Sequence, residues 1–549
     1  MKIYLILFSI LIYSILFSQV PRETRAVWVS TNYRLDWPPP TNNEDLQKKE
    51  LIKILDNIER KNLNTVYFQV RSNGTVLFRS SQEIFSPYIT GEVGQFGKYD
   101  PLEFAVEEAH KRGLEIHAVV NTMRIFSGND ILVKSNPLHI SQIHPEWVYS
   151  KLDDNSIWLN PGLPKVRTYL VDLINEIVQN YNVDGIQLDF IRYPLAPIDD
   201  KDSFTTYGNG KAISDWRRDN ITRFIQLLDS RIKQTNPKIK LGVTPIGIYK
   251  SIPNGRGMEG FSDVYQDTRE WLKLGIIDYA VPQIYWDTKS NPKFNILTKD
   301  WIDNSFDKNI IIGIGAYKSE VINEIEREIN ITRELKSSGM AFFRYKNIED
   351  KNFYSFAEKV LPLEMPWLEN VPELANLSLS AFTEENKISL NFNIDGNKKS
   401  DNGYFALYEN NELIKVIPNY LSKISFSIPQ PDKINYLYSA TQFDQLWGET
   451  SHLSNTAIVP INKLEKIENS LEVLQNPIFL QNNEKSSLLI FSNIDEEISI
   501  YKNSVKSQET LLSKHTLQRG INEIVLNYEL KNYKNVFINF KNMKKTVRP

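Results

Sequence analysis

Residues 183–194 read VDGIQLDFIRYP, a short apolar run opened by Asp184 and closed by Asp189. The segments on either side repeat with a different period. Upstream, Val166, Tyr169, Leu170 and Leu173 fall at helical spacing after Pro164, a residue suited to the first turn of a helix. Downstream, Ile221, Phe224, Ile225, Leu228 and Ile232 do the same. A buried strand held between two amphipathic helices is the repeating unit of a parallel sheet.

Working outward, the same alternation returns along residues 22–362. Eight strands are expected: Arg25–Thr31, Thr65–Arg71, Glu115–Asn121, Asp184–Phe190, Lys240–Pro245, Asp278–Tyr285, Asn309–Gly315 and Met340–Arg344. Gly113, Gly275 and Gly339 each stand between a helical pattern and the next strand, where a helix end favours glycine. Eight strands are enough to close a barrel, so the expected fold class is α/β, a (β/α)8 TIM-type barrel followed by one or two small all-β domains. An open doubly wound sheet would need a Gly-rich turn after its first strand, and Ser30–Pro39 has none.

Two long inserts, Ser72–Tyr99 and Thr122–Leu163, leave strand C-terminal ends. They carry Phe85, Pro87, Tyr88, Trp147 and Trp158, and are expected to form ordered walls of a cleft. After Pro362, Pro366 and Pro372 the pattern becomes short strands such as Ile388–Phe392, Tyr404–Tyr408 and Tyr436–Thr441. A β-sandwich is expected over 373–460 and a second small β domain over 465–549.

The chain's start has the form of a secretory signal over residues 1–18: Lys2, then an apolar run from Ile3 to Phe17, then Ser18. That run is shorter than the ~20 residues that span a bilayer, so an exported protein, periplasmic or extracellular, with no membrane span after cleavage is expected. There is no cysteine among the 549 residues, which excludes disulfides and thiol catalysis. The formal charge is −3, and no basic run with interleaved aromatics points to nucleic acid. Of six histidines, His110 and His117 lie on different elements while His139 and His144 share a loop, so neither a metal site nor a cofactor is expected.

In a closed parallel barrel, polar side chains at strand C-terminal ends face one pocket. Those positions hold Trp28, Gln69, Arg71, Asn121, Arg124, Asp189, Arg192, Tyr193, Thr244, Gln283, Tyr285 and Trp286. One acid among amide and guanidinium donors and aromatic rings suits a sugar, which offers hydroxyls and apolar C–H faces. Asp184 and Asp189 are an odd number of residues apart and so face opposite ways; the exit position favours Asp189, and Asp184 reads as a strand-start acceptor. The structural alternative for Asp189 is an ion pair with Arg192 or Arg71. Glycoside hydrolysis usually takes a second carboxyl group as the acid, which leaves Asp189 as nucleophile or base. Asp267 is the first candidate, with a helix-start acid as its alternative, and Asp287 is the second. His117 reads as a core histidine.

These residues lie in blocks that resemble the glycosyl-hydrolase-like 10 family. The blocks include RAVWVSTNYRLDWP, NTVYFQVRSNG, YDPLEFAVEEAHKRGLEIHAVVNTMR, VDGIQLDFIRYP, SDWRRDNI, GVTPIGIY, YQDTREWLKLGIIDYAVPQIYW and IGIGAYK, in that order over about residues 22–345. The resemblance implies an exported barrel glycoside hydrolase acting on cell-envelope glycan, as in a member that cleaves peptidoglycan strands stripped of their peptides. It places the catalytic Asp on Asp189 and carries the family's other blocks onto Gln69, Arg71, Gln283, Tyr285 and Trp286. Two positions depart. Relatives commonly read N-P-Y-R where this chain has Asn121, Thr122, Met123 and Arg124, and many carry an acid at the position of Lys165. Residues 373–460 resemble a fibronectin type III domain. The other function classes left open are a barrel that binds glycan without cleaving it and a polysaccharide lyase.

Overall fold

The computed structural model describes residues 22–365 apart from 129–130, 150–151 and 153. Beyond these it describes 367–368, 374–384, 387–394, 403–409, 412–427, 435–444, 448–449, 451, 454–460, 478–482, 485–492, 496–503, 509–517, 520–526, 536–540 and 543–547. The expected signal segment, 1–18, lies outside the described residues.

Eight strands close on themselves. They are β1 (Thr24–Val29), β2 (Thr65–Ser72), β3 (Glu115–Asn121), β4 (Gly185–Asp189), β5 (Lys240–Val243), β6 (Tyr279–Ala280, resumed as Gln283–Ile284), β7 (Asn309–Ile314) and β8 (Gly339–Phe342). Each pairs in parallel with the next, and β8 pairs back onto β1. The main helices between them are α1 (Glu44–Arg60), α2 (Pro101–Lys111), α3 (Pro164–Asn180), α4 (Ile213–Thr235), α5 (Thr268–Leu274), α6 (Phe294–Asp303) and α7 (Ile325–Glu334). The fold is therefore a (β/α)8 barrel. β6 is broken where Pro282, which has no N–H to give a ladder, interrupts the run; its carbonyl instead accepts from Gly313 N at 3.0 Å.

Strand alternation separates two cores. Outward residues such as Val27, Val66, Phe68, Ile116, Ile186, Leu188 and Leu241 pack under the helices. Inward residues Ala26, Trp28, Tyr67, Val119, Tyr279 and Ile311 fill the barrel. Large rings there require small neighbours: a Cβ on Gly242 would lie 2.0 Å from the Tyr279 ring, and one on Gly185 would lie 2.5 Å from His117 Nδ1. His117 is a core residue whose Nδ1 lies 2.6 Å from Tyr279 OH. A buried Lys240–Glu115 ion pair sits at the strand starts, and Met365 packs into the same interior. Asp184 also serves a strand start, accepting from Ile116 N at 2.7 Å with His110 Nε2 at 3.0 Å.

The two inserts are ordered where described. The first pairs Thr75–Val76 back onto β2, and the second forms a small antiparallel sheet from Arg124–Phe126, Ile157–Leu159 and Val148–Tyr149.

A two-sheet β unit follows the barrel. One sheet joins Leu377–Glu384, Lys387–Ile394 and Lys423–Ser427; the other joins Glu412–Pro418, Gly403–Glu409, Asn435–Asp444, Gly448–Glu449 and Ala457–Pro460. It packs on the barrel's N-terminal end. Tyr404 and Phe443 cluster with Leu361, and Val416 lies 2.5 Å from where a Cβ on Gly113 would stand, at a position whose φ of +68° already favours glycine. Residues 461–549 form a separate compact unit whose described part is all β.

Candidate active site

The strand exits bring a ring of polar groups to one mouth. Register pairs Asn121 on β3 directly with Asp189 on β4, and Thr244 follows one step beyond the Leu188–Val243 pair on β5. Gln283 on β6 bridges to Ile246, just past β5. Gln69 on β2 donates to Asn121 Oδ1 at 3.2 Å and accepts from Thr31 N and Asn32 N at 3.1 and 2.9 Å, which ties the exit of β1 into the ring.

Asp189 is fixed from both sides. Phe190 takes φ of 50°, the left-handed region that a bulky side chain rarely adopts, and this turn aims its N–H at Asp189 Oδ1, 2.7 Å away. Gln283 Nε2 lies 3.4 Å from the same oxygen. The Asp189 carbonyl accepts from both Thr122 N and Thr122 Oγ1 at 2.8 Å. Burial pushes the Asp189 carboxyl above the usual range, although the Phe190 N–H, Arg124, Arg192 and Gln283 all pull the other way. Among the described residues it makes no ion pair within 4.0 Å, so the structural alternative of a closed salt bridge is not what the fold adopts.

Two arginines flank it. The Arg124 guanidinium carbon lies over the Phe190 ring, 3.5 Å from its centre, and that of Arg192 lies 4.8 Å from the centre of the Trp158 ring. Burial lowers both guanidinium pKa values, that of Arg192 to about 10, still a cation at neutral pH. Both feel Asp189 and also Asp154, an exposed acid on the second insert. Ser156 holds Asp154 below the usual carboxylate range through its hydroxyl and its N–H, the latter 3.0 Å away.

On the far side the mouth is aromatic. Tyr285 stacks on Phe343 at 5.8 Å, Tyr317 stands edge-on to both, and Phe343 meets Trp28 at 5.9 Å. A Cβ on Gly315 would come within 2.8 Å of Tyr285 Cβ, so glycine makes room for this wall. Lys318 donates to the Tyr285 carbonyl at 2.7 Å and stands 5.7 Å from the Trp286 ring centre. A carboxyl group, guanidinium donors and stacking rings around one opening suit a sugar, and glycosidic-bond cleavage takes a second carboxyl group besides.

Comparison with known proteins agrees. The glycosyl hydrolase-like 10 family matches residues 23–330, more than half of the chain. The chain belongs to the glycosyl hydrolase-like 10 family. Its relatives include glycosyl hydrolase YngK of Bacillus subtilis, 31% identical over a match covering 71% of this chain and 83% of YngK. Glycosyl hydrolase DigH of Escherichia coli K12 is 33% identical, with 56% of this chain and 76% of DigH covered. As a member of this family the protein is a glycoside hydrolase.

Within this family member several residues expected at the mouth have other work. Arg71 is fully buried, since Glu83 on the first insert forks onto it and offsets the cost of a buried charge. Its remaining N–H groups reach the carbonyls of Asn121 and Thr122, so it braces the turn behind Asp189. Tyr193 is buried in the helix-facing core with its hydroxyl accepting from Asn220 at 3.2 Å. Trp28 is 5% exposed and donates to Gln187 at 2.7 Å, beneath the ring rather than in it.

Asp267 is the cap of α5. Its Oδ1 accepts from Tyr249 OH at 2.6 Å and from Glu270 N at 3.4 Å, which is the helix-start alternative. Asp287 holds its own loop, accepting from Lys289 N at 3.2 Å and from Ser290 N. Lys165 is exposed in the first turn of α3. The residues missed from sequence are Asp154, Phe190, Tyr317 and Phe343. Asp154 belongs to no strand and has no periodicity to point to it; Phe343 falls within the expected eighth strand, two residues beyond Ala341, and so shares its inward face.

Proposed function

We propose that this glycoside hydrolase is exported and acts on an N-acetylated cell-envelope glycan, with peptide-free peptidoglycan strands as the first substrate to try. The observation that carries the reading is the desolvated Asp189 carboxyl at the barrel mouth, between an aromatic wall and two guanidinium groups. Where two carboxyl groups sit in environments that push their pKa values apart, the raised one suits the acid and the lowered one the base. Asp189, raised by burial, is the proton donor to the leaving oxygen, and Asp154, held ionised by Ser156, replaces Asp267 as its partner. The names of YngK and DigH support hydrolysis. The apolar start of the chain supports export, and the three-strand and five-strand sheets after the barrel support a fibronectin type III-like module.

The test is incubation with peptide-free glycan strands followed by chromatography of the products. Release by wild type and its loss in Asp189→Asn support the proposal. Binding without product from any glycan would make the barrel a glycan receptor, and ultraviolet-absorbing unsaturated ends would make it a lyase.

A further inference from the structure

Most buried arginines of this barrel are matched. Arg71 meets Glu83, Arg217 meets Asp200, Arg269 meets Asp300 and Arg344 meets Asp36. Arg124 and Arg192 are not: among the described residues neither makes an ion pair within 4.0 Å, although burial depresses both. Arg124 lies over the Phe190 ring and Arg192 over the Trp158 ring, at 3.5 and 4.8 Å from the ring centres. Their edges are nearly free. Arg192 gives one N–H to the Tyr193 carbonyl at 3.0 Å, and Arg124 gives none to any described residue. The charged and titratable groups that act on them are Asp189 on β4, Asp154 on the second insert and Tyr33 after β1, and Arg124 itself repels Arg192. A guanidinium held by ring stacking keeps a planar fork of donors in fixed orientation, and that fork matches a carboxylate.

We propose that Arg124 and Arg192 form an anion subsite beside Asp189 that takes a free carboxylate carried by the sugar. The inference rests on the hydrolase reading of the same mouth and narrows it: the preferred glycan is acidic, and masking its carboxylates removes the preference. The carboxylate could be part of a uronic ring or sit on an ether side arm, and the probes separate these.

Three probes are compared with the full chain: chitohexaose, which is neutral; hyaluronan oligosaccharides, whose carboxylates are on the ring; and peptide-free peptidoglycan strands, whose carboxylates are on lactyl ethers. Each acidic probe is also used after conversion of its carboxylates to amides. Binding is read by tryptophan fluorescence and cleavage by chromatography. For at least one acidic probe, binding is expected to be 10-fold or more tighter than for its amide, and that probe identifies the carboxylate's position. In Arg124→Met/Arg192→Met the ratio falls to about one, with folding checked by circular dichroism; Arg124→Lys keeps part of it. The wild-type comparison stands whether or not the variants fold. Equal binding of acid and amide forms, or no binding of either acidic probe, overturns the anion subsite. Discrimination without any product leaves the subsite standing and sinks the hydrolase reading, while equal cleavage of acid and amide forms does the reverse.

Discussion

Replacing Glu83 by Gln removes one charge from a place that water does not reach. Both side chains of the Arg71–Glu83 pair are 1% exposed. The carboxylate accepts from Arg71 Nε at 2.7 Å, from Arg71 Nη2, and from Tyr169 OH at 2.7 Å. A carboxamide of the same size keeps one acceptor oxygen and turns an NH2 toward a guanidinium N–H, so a buried cation loses its counter-charge and meets a donor. Breaking a buried pair from one side costs about 3–5 kcal/mol. With a urea slope of about 3 kcal/mol per M, the unfolding midpoint should fall by about 1–1.7 M. The assay is urea unfolding followed by tryptophan fluorescence. Arg71→Met/Glu83→Leu should recover most of the loss, retaining a deficit of about 1–2 kcal/mol because the Asn121 and Thr122 carbonyls lose their donors. A shift below about 0.3 M in Glu83→Gln, or a double variant no better than the single, would refute the account of Arg71 as a charge neutralised in place.

Asp154→Asn should lower product release at least 100-fold while Asp267→Asn changes it less than 3-fold; the reverse order would restore the α5 cap as the second carboxyl group. If Asp189 is the acid, activity falls as pH rises through its raised pKa, and since Arg192 pulls that pKa down, Arg192→Met should move the alkaline limb of kcat/KM to higher pH; a limb that stays or moves down argues against it. Glu328 is fully buried with both carboxyl oxygens unpartnered, and burial, Glu324 and Asp287 push its pKa to about 9. Its folded pKa is raised, so its contribution to stability is complete below the unfolded value near 4.5 and is lost as pH climbs toward 9. Glu328→Gln should therefore flatten the decline in thermal midpoint between pH 5 and 9, and an unchanged slope would count against a neutral buried carboxyl.

The barrel was legible because each strand is a short apolar run set between helical periods, and a run such as GIQLD admits no other place in the alternation. Strand edges were less legible: Pro282 lies inside what reads as one continuous sixth strand, and only the ladder shows that it interrupts it. For the site, parity and position were enough to put Asp189 at the mouth, because both follow from a period of two. Arg71 could not be resolved that way. Its partner Glu83 is 12 residues away on an insert with no period, so nothing in the sequence said that the charge would be neutralised. Asp267 misled for a related reason: an acid after a strand looks the same whether it faces the pocket or caps the next helix, and Tyr249, 18 residues earlier, decides between them.

The β unit after the barrel rests against the strand starts, where Tyr404 packs with Leu361 and Val416 crowds Gly113. Among the described residues, the strand exits that rim the opening lie at the other end of the barrel from that joint. A grafted or randomised loop at the rim can reshape the opening without loosening the seam between the two modules, whereas a change as small as a methyl group at Gly113 would strain that seam.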